Sequence, residues 1–294
     1  MKFLNTKYPY LFDSVSGNFA QDDLNDSIYL ANGNTSINSG TKNINNATSI
    51  YVRCRYSSNY NGSNTHRFIG IVTTNFTFYL CESSSQLEIW KPNSTTYWVG
   101  NVPSKRGIPT SNMHARDVYI HIDTSQDIVE LYCDGILYAS VVINFNGGTI
   151  SAIEMGKLST GASAVEAAYL TQIIISDTYF MPTEKVTEVT PVLSSNDWTI
   201  SPDGSASTDN VGDVMTMTVS SGAIDETKRT VTGYGVLFTN TAISSTVNAV
   251  NITQDSTTKQ VVLPDNSMVE TADTFLVAQL SNISATVTSA YVSQ

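Results

Sequence analysis

One short stretch constrains the fold of this chain more than any other. In VELYCDGILYAS, residues 129–140, two apolar and β-prone runs flank Asp134-Gly135. Asp-Gly favours a two-residue type I′ turn, because both central residues of that turn have positive φ. The stretch therefore predicts a tight β-hairpin with three opposed pairs: Cys133 with Ile136, Tyr132 with Leu137, and Leu131 with Tyr138.

Both faces of the predicted hairpin are apolar. Alternation places Val129, Leu131, Cys133, Ile136 and Tyr138 on one face, and Ile128, Tyr132, Leu137 and Val141 on the other. The facing sheet can cover only one of these faces. We therefore expect a loop, a neighbouring domain or a second subunit to cover the other.

Short alternating runs continue through most of the chain, as in SIYVRCRY (49–56), DVYIHID (117–123) and LTQIIIS (170–176). Such runs, separated by polar turns, predict an all-β fold. The one helical candidate is ASAVEAA at 162–168, which has good helix formers but is short.

The chain is long enough for two domains, and a proline-containing polar segment interrupts the strand pattern near Glu188. Six further strand-like runs follow it. We predict an N-terminal arm (1–24), a jelly-roll sandwich (25–180), a linker (181–196) and a smaller, acidic immunoglobulin-like β-sandwich (197–294).

Charge excludes several classes of partner. Charged residues are only 14% of the chain, and the net charge is −11. An acidic surface repels nucleic-acid phosphates and anionic lipid, so we expect neither partner. No stretch is apolar enough to insert into a membrane, and the N-terminal MKFLNTKYPYLFD lacks the apolar core of a signal peptide. The odd set Cys54, Cys81 and Cys133 predicts buried free thiols.

The run DVYIHIDTSQDIVELYCDGILYAS resembles the central hairpin of concanavalin A-like and laminin-G-like lectin sandwiches, and TQIIISDTYF (171–180) resembles their closing strand. The resemblance covers about residues 25–180 and implies a concanavalin A-like jelly roll. The layout of two sandwiches in an Asn/Ser/Thr-rich chain of low charge is also similar to structural proteins of tailed-phage virions.

Sugar binding would use exposed aromatic rings. The candidates are Tyr60, in a Gly/Asn/Ser loop, and the set Trp90, Tyr97 and Trp98 around the turn at 91–94. The alternative is that Trp90 and Trp98 form a cross-strand core pair, because alternation gives them the same parity.

Two acidic stretches are candidates for structural calcium, which takes six to eight oxygen ligands. The first contains Asp22, Asp23 and Asp26, and the second contains Asp203, Asp209 and Asp213. Neither has the spacing of an EF-hand loop, and ordinary Asx turns are the favoured alternative. We expect no other cofactor.

No catalytic constellation is visible in the sequence. Asp127 and Glu130 point to opposite faces of one strand, whereas a retaining glycosidase needs two carboxyl groups about 5–5.5 Å apart. Nothing in the sequence brings His66, His114 or His121 to a serine or cysteine. We therefore expect a protein that is not an enzyme.

These observations favour a structural protein of a bacteriophage virion, made in the host cytoplasm: a capsid decoration, fibre, or tail or collar part. We expect it to assemble as a homo-oligomer with other virion proteins, and a lectin-like domain could attach it to host glycans. One alternative is the carbohydrate-binding module of a cell-surface protein. The less favoured alternative is a glycan-cleaving enzyme.

Overall fold

In a computed structural model the chain divides into two compact units, residues 3–183 and 184–294. The structure describes residues 2–7, 9, 12–22, 27–30, 37–58, 66–83, 86–92, 97–103, 114–158, 168–189, 191–194, 199–200, 202, 206–207, 214–219, 233–243, 249–254, 257–262, 267–271, 277–281 and 283–293. All regular elements among these residues are β-strands, which confirms the all-β prediction.

The first unit contains fifteen strands, β1(Lys2–Asn5), β2(Ser14–Ser16), β3(Phe19–Asp22), β4(Ser27–Leu30), β5(Asn38–Ala47), β6(Ser49–Ser58), β7(His66–Thr73), β8(Thr77–Ser83), β9(Gln86–Trp90), β10(Tyr97–Pro103), β11(His114–Asp123), β12(Ile128–Cys133), β13(Ile136–Val142), β14(Ile150–Lys157) and β15(Ala168–Ser176). They form two antiparallel sheets. Sheet A has the order β13-β12-β11-β6-β15-β4-β3, with β1 also paired to β15, and sheet B has the order β10-β9-β8-β7-β14-β5-β2.

The core lies between the inner faces of the two sheets, so the first unit is the predicted β-sandwich. In sheet A, a row of fully buried apolar residues crosses four adjacent strands in register: Leu131, Ile120, Val52 and Ile175. In sheet B, the matching row is Ile89, Leu80, Ile69 and Met155. The residues that alternate with these rows lie on the outer faces, where functional side chains can be presented.

The hairpin at 129–140 forms as predicted at its tip. Asp134 and Gly135 both have positive φ, at 52° and 79°, as a type I′ turn requires. Cys133 faces Ile136, and Tyr132 faces Leu137. The third predicted pair is wrong, because a bulge shifts the register and places Ala139 opposite Leu131.

The two hairpin strands differ in burial. Val129, Leu131 and Cys133 of β12 face the core. On the outer side of sheet A, Phe180 covers Tyr119, whose hydroxyl donates to the Phe180 carbonyl at 3.1 Å. Strand β13 is the edge of the sheet and leaves four large apolar side chains exposed: Ile136, Leu137, Tyr138 and Val142. Ile136 and Tyr138 were expected on the face that meets the other sheet, and Leu137 was expected on the second face. The expected cover is therefore incomplete on both faces of β13.

The second unit also consists of two antiparallel sheets. Its strands are β16(Val186–Val189), β17(Pro191–Ser194), β18(Thr199–Ile200), β19(Ala206–Ser207), β20(Val214–Val219), β21(Gly233–Ile243), β22(Ala249–Gln254), β23(Thr257–Val262), β24(Ser267–Thr271), β25(Val277–Ser281) and β26(Ile283–Ser293). One sheet has the order β18-β19-β26-β21-β24, with β16 also paired to β26, and the other has the order β17-β20-β25-β22-β23.

Three segment assignments from the sequence need correction. The predicted arm contains β1, β2 and β3, which are paired into sheets A and B. The predicted linker contains β16 and β17, because alternating Val and Leu residues pair there despite the two prolines. The helix predicted at 162–168 falls largely outside the described residues, and Ala168 begins strand β15.

The three cysteines are buried free thiols, as predicted. Burial raises the pKa of the Cys54 thiol to about 12 and also raises that of Cys81. Unreactive thiols of this kind have a packing role. A search for membrane-spanning helices finds none in the described part of the chain.

Candidate functional site

A row of outward-facing residues crosses the middle of sheet B. Trp90 pairs with Tyr79, Tyr79 with Gly70, and Gly70 with Glu154, so these four positions lie side by side on adjacent strands β9, β8, β7 and β14. Their sequence neighbours point into the core, which places this row on the outer face. A Cβ at Gly70 would lie 2.9 Å from Glu154 Oε2, so the Glu154 side chain occupies the space that the glycine leaves.

Arg67 lies over the aromatic part of this row. Its guanidinium carbon is 4.7 Å from the Tyr79 ring centroid and 5.8 Å from the Trp90 ring centroid. The Trp90 indole Nε1–H donates to Glu88 Oε2 at 2.6 Å, which fixes the orientation of the ring. We call Arg67, Tyr79, Glu88, Trp90 and Glu154 the outer cluster.

The two carboxyl groups of the outer cluster are partly shielded from water, and this shifts their pKa values. Burial raises the pKa of the Glu88 and Glu154 carboxyls, and the hydrogen bond from Trp90 partly opposes the shift at Glu88. Burial and then the charge of Glu154 raise the pKa of Tyr79. Both carboxylates are thus partly desolvated on the strands that carry them.

The charged groups of the outer cluster do not neutralise one another by direct contact. Among the residues that the structure describes, neither the Arg67 guanidinium nor the Glu154 carboxylate forms an ion pair or a side-chain hydrogen bond. Five guanidinium N–H donors and two carboxylate oxygens therefore keep unused hydrogen-bonding capacity beside two aromatic rings. This combination suits a small polar ligand that also has apolar surface.

The two carboxylates of the outer cluster are badly placed for acid–base cleavage of a glycosidic bond. Glu88 is on β9 and Glu154 is on β14, three strand spacings apart in sheet B. At about 4.8 Å per spacing, their backbones are roughly 14 Å apart. Glycosidases place their two carboxyl groups no more than about 9.5 Å apart.

The structure brings together some of the predicted sugar-binding residues. Trp90 lies in the outer cluster, and Tyr97 is its cross-strand partner on β10. The alternative core pair with Trp98 is wrong for Trp90, because Leu87 and Ile89 are the core residues of that strand. The Tyr97 and Trp98 side chains and all of Tyr60 lie outside what the structure describes.

The sequence reasoning missed Arg67, Tyr79 and Glu154. The outward parity of Tyr79 follows from its buried neighbours Phe78 and Leu80. That of Glu154 follows from Ile153 and Met155. Arg67 has the same parity as the buried Ile69 and Ile71, and a register shift between Arg67 and Ile69 takes it out of that alternation. What the sequence alone does not supply is the register that places these residues beside Trp90.

The calcium prediction rests mainly on residues outside the described ranges. Asp22 is described, as the last residue of β3, and it has an interaction partner. Asp23, Asp26, Asp203, Asp209 and Asp213 are not described. Within the described ranges, no group of three or more His, Cys, Asp or Glu side chains could hold a metal ion.

On the outer face of sheet A, the structure brings a histidine to a serine and a carboxylate, a contact that the sequence alone does not indicate. His121 Nδ1 is 3.1 Å from Glu130 Oε2, and His121 Nε2 is 3.2 Å from Ser49 Oγ. His121 also stacks on Tyr51, with ring centroids 4.3 Å apart. These atoms have the connectivity of a Ser-His-acid triad.

The strand around Ser49 lacks the other features of a hydrolase nucleophile. Ser49 opens β6 and pairs with Asp123 in a regular ladder, rather than lying on a sharp strand-to-helix turn. Backbone N–H groups in a ladder lie in the plane of the sheet, whereas Ser49 Oγ projects from its face. The contacts therefore have the form of cross-strand hydrogen bonds that order the surface.

Comparisons with known proteins give structural likeness only. No protein-family model and no curated protein sequence matches the chain. Among solved structures, the binding domain of botulinum neurotoxin DC in complex with rat synaptotagmin II is 12% identical, with a TM-score of 0.47 and coverage of 89% of this chain and 73% of that one. A structure described as a receptor binding domain is 13% identical, with a TM-score of 0.48 and coverage of 89% and 72%.

A sialidase is 14% identical, with a TM-score of 0.36, and the match covers 52% of this chain and 15% of that one. At these identities and TM-scores, the likenesses assign neither a family nor a ligand to this chain.

Proposed function

We propose that this protein binds carbohydrate without cleaving it, through the outer cluster of sheet B. The observation that carries the proposal is the Arg67 guanidinium, which lies over Tyr79 and Trp90 and forms no ion pair with another described residue. A fully exposed guanidinium would be satisfied by water alone. The Arg67 guanidinium is partly buried and held over two rings, so its N–H groups have a fixed orientation in which they can donate to a ligand.

A sugar ring matches this surface in two ways. Its C–H faces pack on aromatic rings, and its hydroxyl groups can bond to Arg67 as acceptors and to Glu154 as donors. Hydrogen bonds in which one partner is charged are the stronger kind, and they add orientation. The outer cluster carries two carboxylates and one guanidinium on a chain of net charge −11, so we infer a neutral sugar as its ligand.

A glycan array tests this proposal. The labelled protein should bind neutral oligosaccharides, and the Arg67→Gln variant should lose the same signals. A suitable control is Tyr179→Ala, which removes an exposed aromatic ring near Tyr51 on the outer face of sheet A. Absence of any signal on a broad array, or full retention by Arg67→Gln, would count against the proposal.

Binding without cleavage is itself a testable part of this proposal. We expect no hydrolysis of p-nitrophenyl acetate or of any bound oligosaccharide above the background of the Ser49→Ala variant, because the Ser49 strand provides no turn that exposes a nucleophile. Release of nitrophenolate or of reducing ends measures this directly. Turnover that disappears in Ser49→Ala would show that the Ser49–His121–Glu130 group is an active site.

We also propose that the protein works as a homo-oligomeric structural component of a bacteriophage virion. Support comes from the low charge and Asn/Ser/Thr-rich composition, and from edge strand β13. The sequence ILYASVV of β13 has no charge and no proline, the usual devices that block edge pairing. A second copy could add its own β13 to sheet A through a two-fold, self-complementary contact.

A charge in this edge strand should prevent such assembly. We expect wild-type protein to form a dimer or larger oligomer and Leu137→Lys to be monomeric, since a buried, unpaired ammonium at the contact is costly. Size-exclusion chromatography with light scattering gives the mass. Val15→Lys introduces the same charge at an exposed site on β2, the edge of sheet B, and should leave the oligomer intact. If the wild-type protein is a monomer, strand β13 no longer supports the proposal of a homo-oligomer.

A further inference from the structure

A layer of polar side chains closes one end of the first unit's core. Ser58 is the last residue of β6, His66 is the first of β7, and Lys157 is the last of β14. Glu82 of β8 is the cross-strand partner of His66. All four side chains are almost completely buried and continue the inward-facing rows of the two sheets. We call these residues, with Tyr56, the polar layer.

A chain of hydrogen bonds fixes the proton positions in the polar layer. Ser58 Oγ and Tyr56 Oη both donate to Glu82 Oε2, at 2.5 and 2.9 Å. The Tyr56 hydroxyl proton is thereby used, so His66 Nδ1, 2.6 Å from Tyr56 Oη, must donate to it. In a neutral ring this leaves a lone pair on His66 Nε2.

The His66 ring is neutral at ordinary pH. Burial, and then the charge of Lys157, lower the pKa of His66 to about 3. The Nε2 lone pair therefore remains an acceptor, and the charge of Lys157 acts on the same ring. Among the described residues, the one hydrogen bond of the His66 side chain is that at Nδ1.

Lys157 is the unexplained member of the polar layer. Its side chain is inside the protein, with 3% of the residue exposed, and Nζ has no hydrogen-bond partner among the described residues. Burial lowers the pKa of this amine. A buried ammonium without a partner destabilises a fold. Lys157 therefore lowers the stability of the first unit unless an anion binds to its Nζ.

We propose that the polar layer binds a hydroxy-carboxylate, such as a uronic acid, with its carboxylate on Lys157 Nζ and a neighbouring hydroxyl group donating to His66 Nε2. The carboxylate supplies the charge that Lys157 lacks, and the hydroxyl supplies the donor that His66 lacks. The residues belong to strand ends on one side of the sandwich, so the ligand would enter between the sheets at that end. This site is separate from the outer cluster and does not rest on its function.

Glucuronate, glucose and acetate separate the two parts of the recognition in a calorimetric titration of the full chain carrying Trp90→Ala, in which the outer cluster is disabled. In this background we expect glucuronate to bind, acetate to bind at least tenfold more weakly, and glucose not to bind. Glucuronate affinity should fall at least tenfold when Lys157→Met is added and should be unchanged when Tyr179→Ala is added. Glucose binding as strong as glucuronate binding, or equal glucuronate affinity with and without Lys157→Met, would overturn the proposal.

The stability of the same variant, without ligand, gives an independent readout. Methionine fills a similar volume without a charge, so Lys157→Met should unfold at a higher temperature than the wild type. Its advantage should shrink when glucuronate is added, because only the wild type gains from the ligand. A Lys157→Met chain that melts lower than the wild type, or that fails to fold, would show that Lys157 has a structural partner and would refute the inference.

Discussion

Replacing Trp90 by alanine is expected to weaken glycan binding by tenfold or more while leaving the fold intact. The indole supplies a ring face for the sugar, holds Arg67 in a stacked position and positions Glu88 through its N–H. Losing these contacts should cost about 1.4 kcal/mol or more of binding free energy, the equivalent of a tenfold change. Titration calorimetry with the best ligand from the array measures the loss.

The stability of Trp90→Ala should change much less than that of a core substitution. Trp90 is only partly buried, whereas its neighbour Ile89 is fully buried in the core. Arg67→Lys provides a second test, because it keeps the charge but loses the planar donors, and it should weaken binding as well. Unchanged affinity in both variants would place the ligand elsewhere.

Replacing Arg53 by alanine is expected to cause a large loss of stability, about 3–5 kcal/mol. Arg53 has no exposed surface, although it lies on the outward parity of β6. Its Nη1 donates to the carbonyl and to Oε1 of Gln172, at 3.1 and 3.2 Å, and its Nη2 is 3.1 Å from Asp117 Oδ1. Truncation leaves these acceptors buried or half-buried without their donor.

A neighbouring arginine offers a matched control for Arg53→Ala. Arg55 Nη1 contacts the same Asp117 Oδ1 at 3.4 Å, but its side chain is 41% exposed. Arg55→Ala should therefore cost no more than about 1 kcal/mol. Calorimetric melting should show the transition of the first unit lowered by several degrees for Arg53→Ala and little changed for Arg55→Ala. Equal shifts for the two variants would contradict the account of Arg53 as an anchor between β6 and β15.

The hairpin at Asp134-Gly135 could be predicted because its determinants are local. Two consecutive residues with positive φ identify the turn, and the turn fixes the nearest two pairs. The pair Leu131–Tyr138 failed because a register shift between Leu131 and Tyr132 moves Ala139 opposite Leu131, and the turn residues do not specify such a shift. The predicted arm failed for a related reason, since β1 and β2 pair with β15 and β5 rather than with their neighbours in the chain.

The outer cluster could be predicted only in part. Trp90 and Tyr97 stood out because large aromatic residues near a turn suggest a binding surface. Arg67 and Tyr79 lie on the consecutive strands β7 and β8, next to β9, whereas Glu154 lies on the distant β14. All three meet Trp90 only through the register of β7, β8, β9 and β14. The contact of His121 with Ser49 and the polar layer around Lys157 could not be predicted for the same reason. Both join residues that are far apart in the chain, and the sequence alone does not give the strand register.

The most direct test of the outer cluster is an NMR titration that follows its indole N–H group. The chain has three tryptophans, so its ¹H–¹⁵N spectrum should contain three indole signals, and a Trp90→Phe variant identifies the one from Trp90. The sugar should shift this signal, because the ligand would contact the ring and disturb its hydrogen bond to Glu88. A bound sugar that leaves the Trp90 indole unmoved and shifts only groups around Tyr51 and His121 would contradict the central claim.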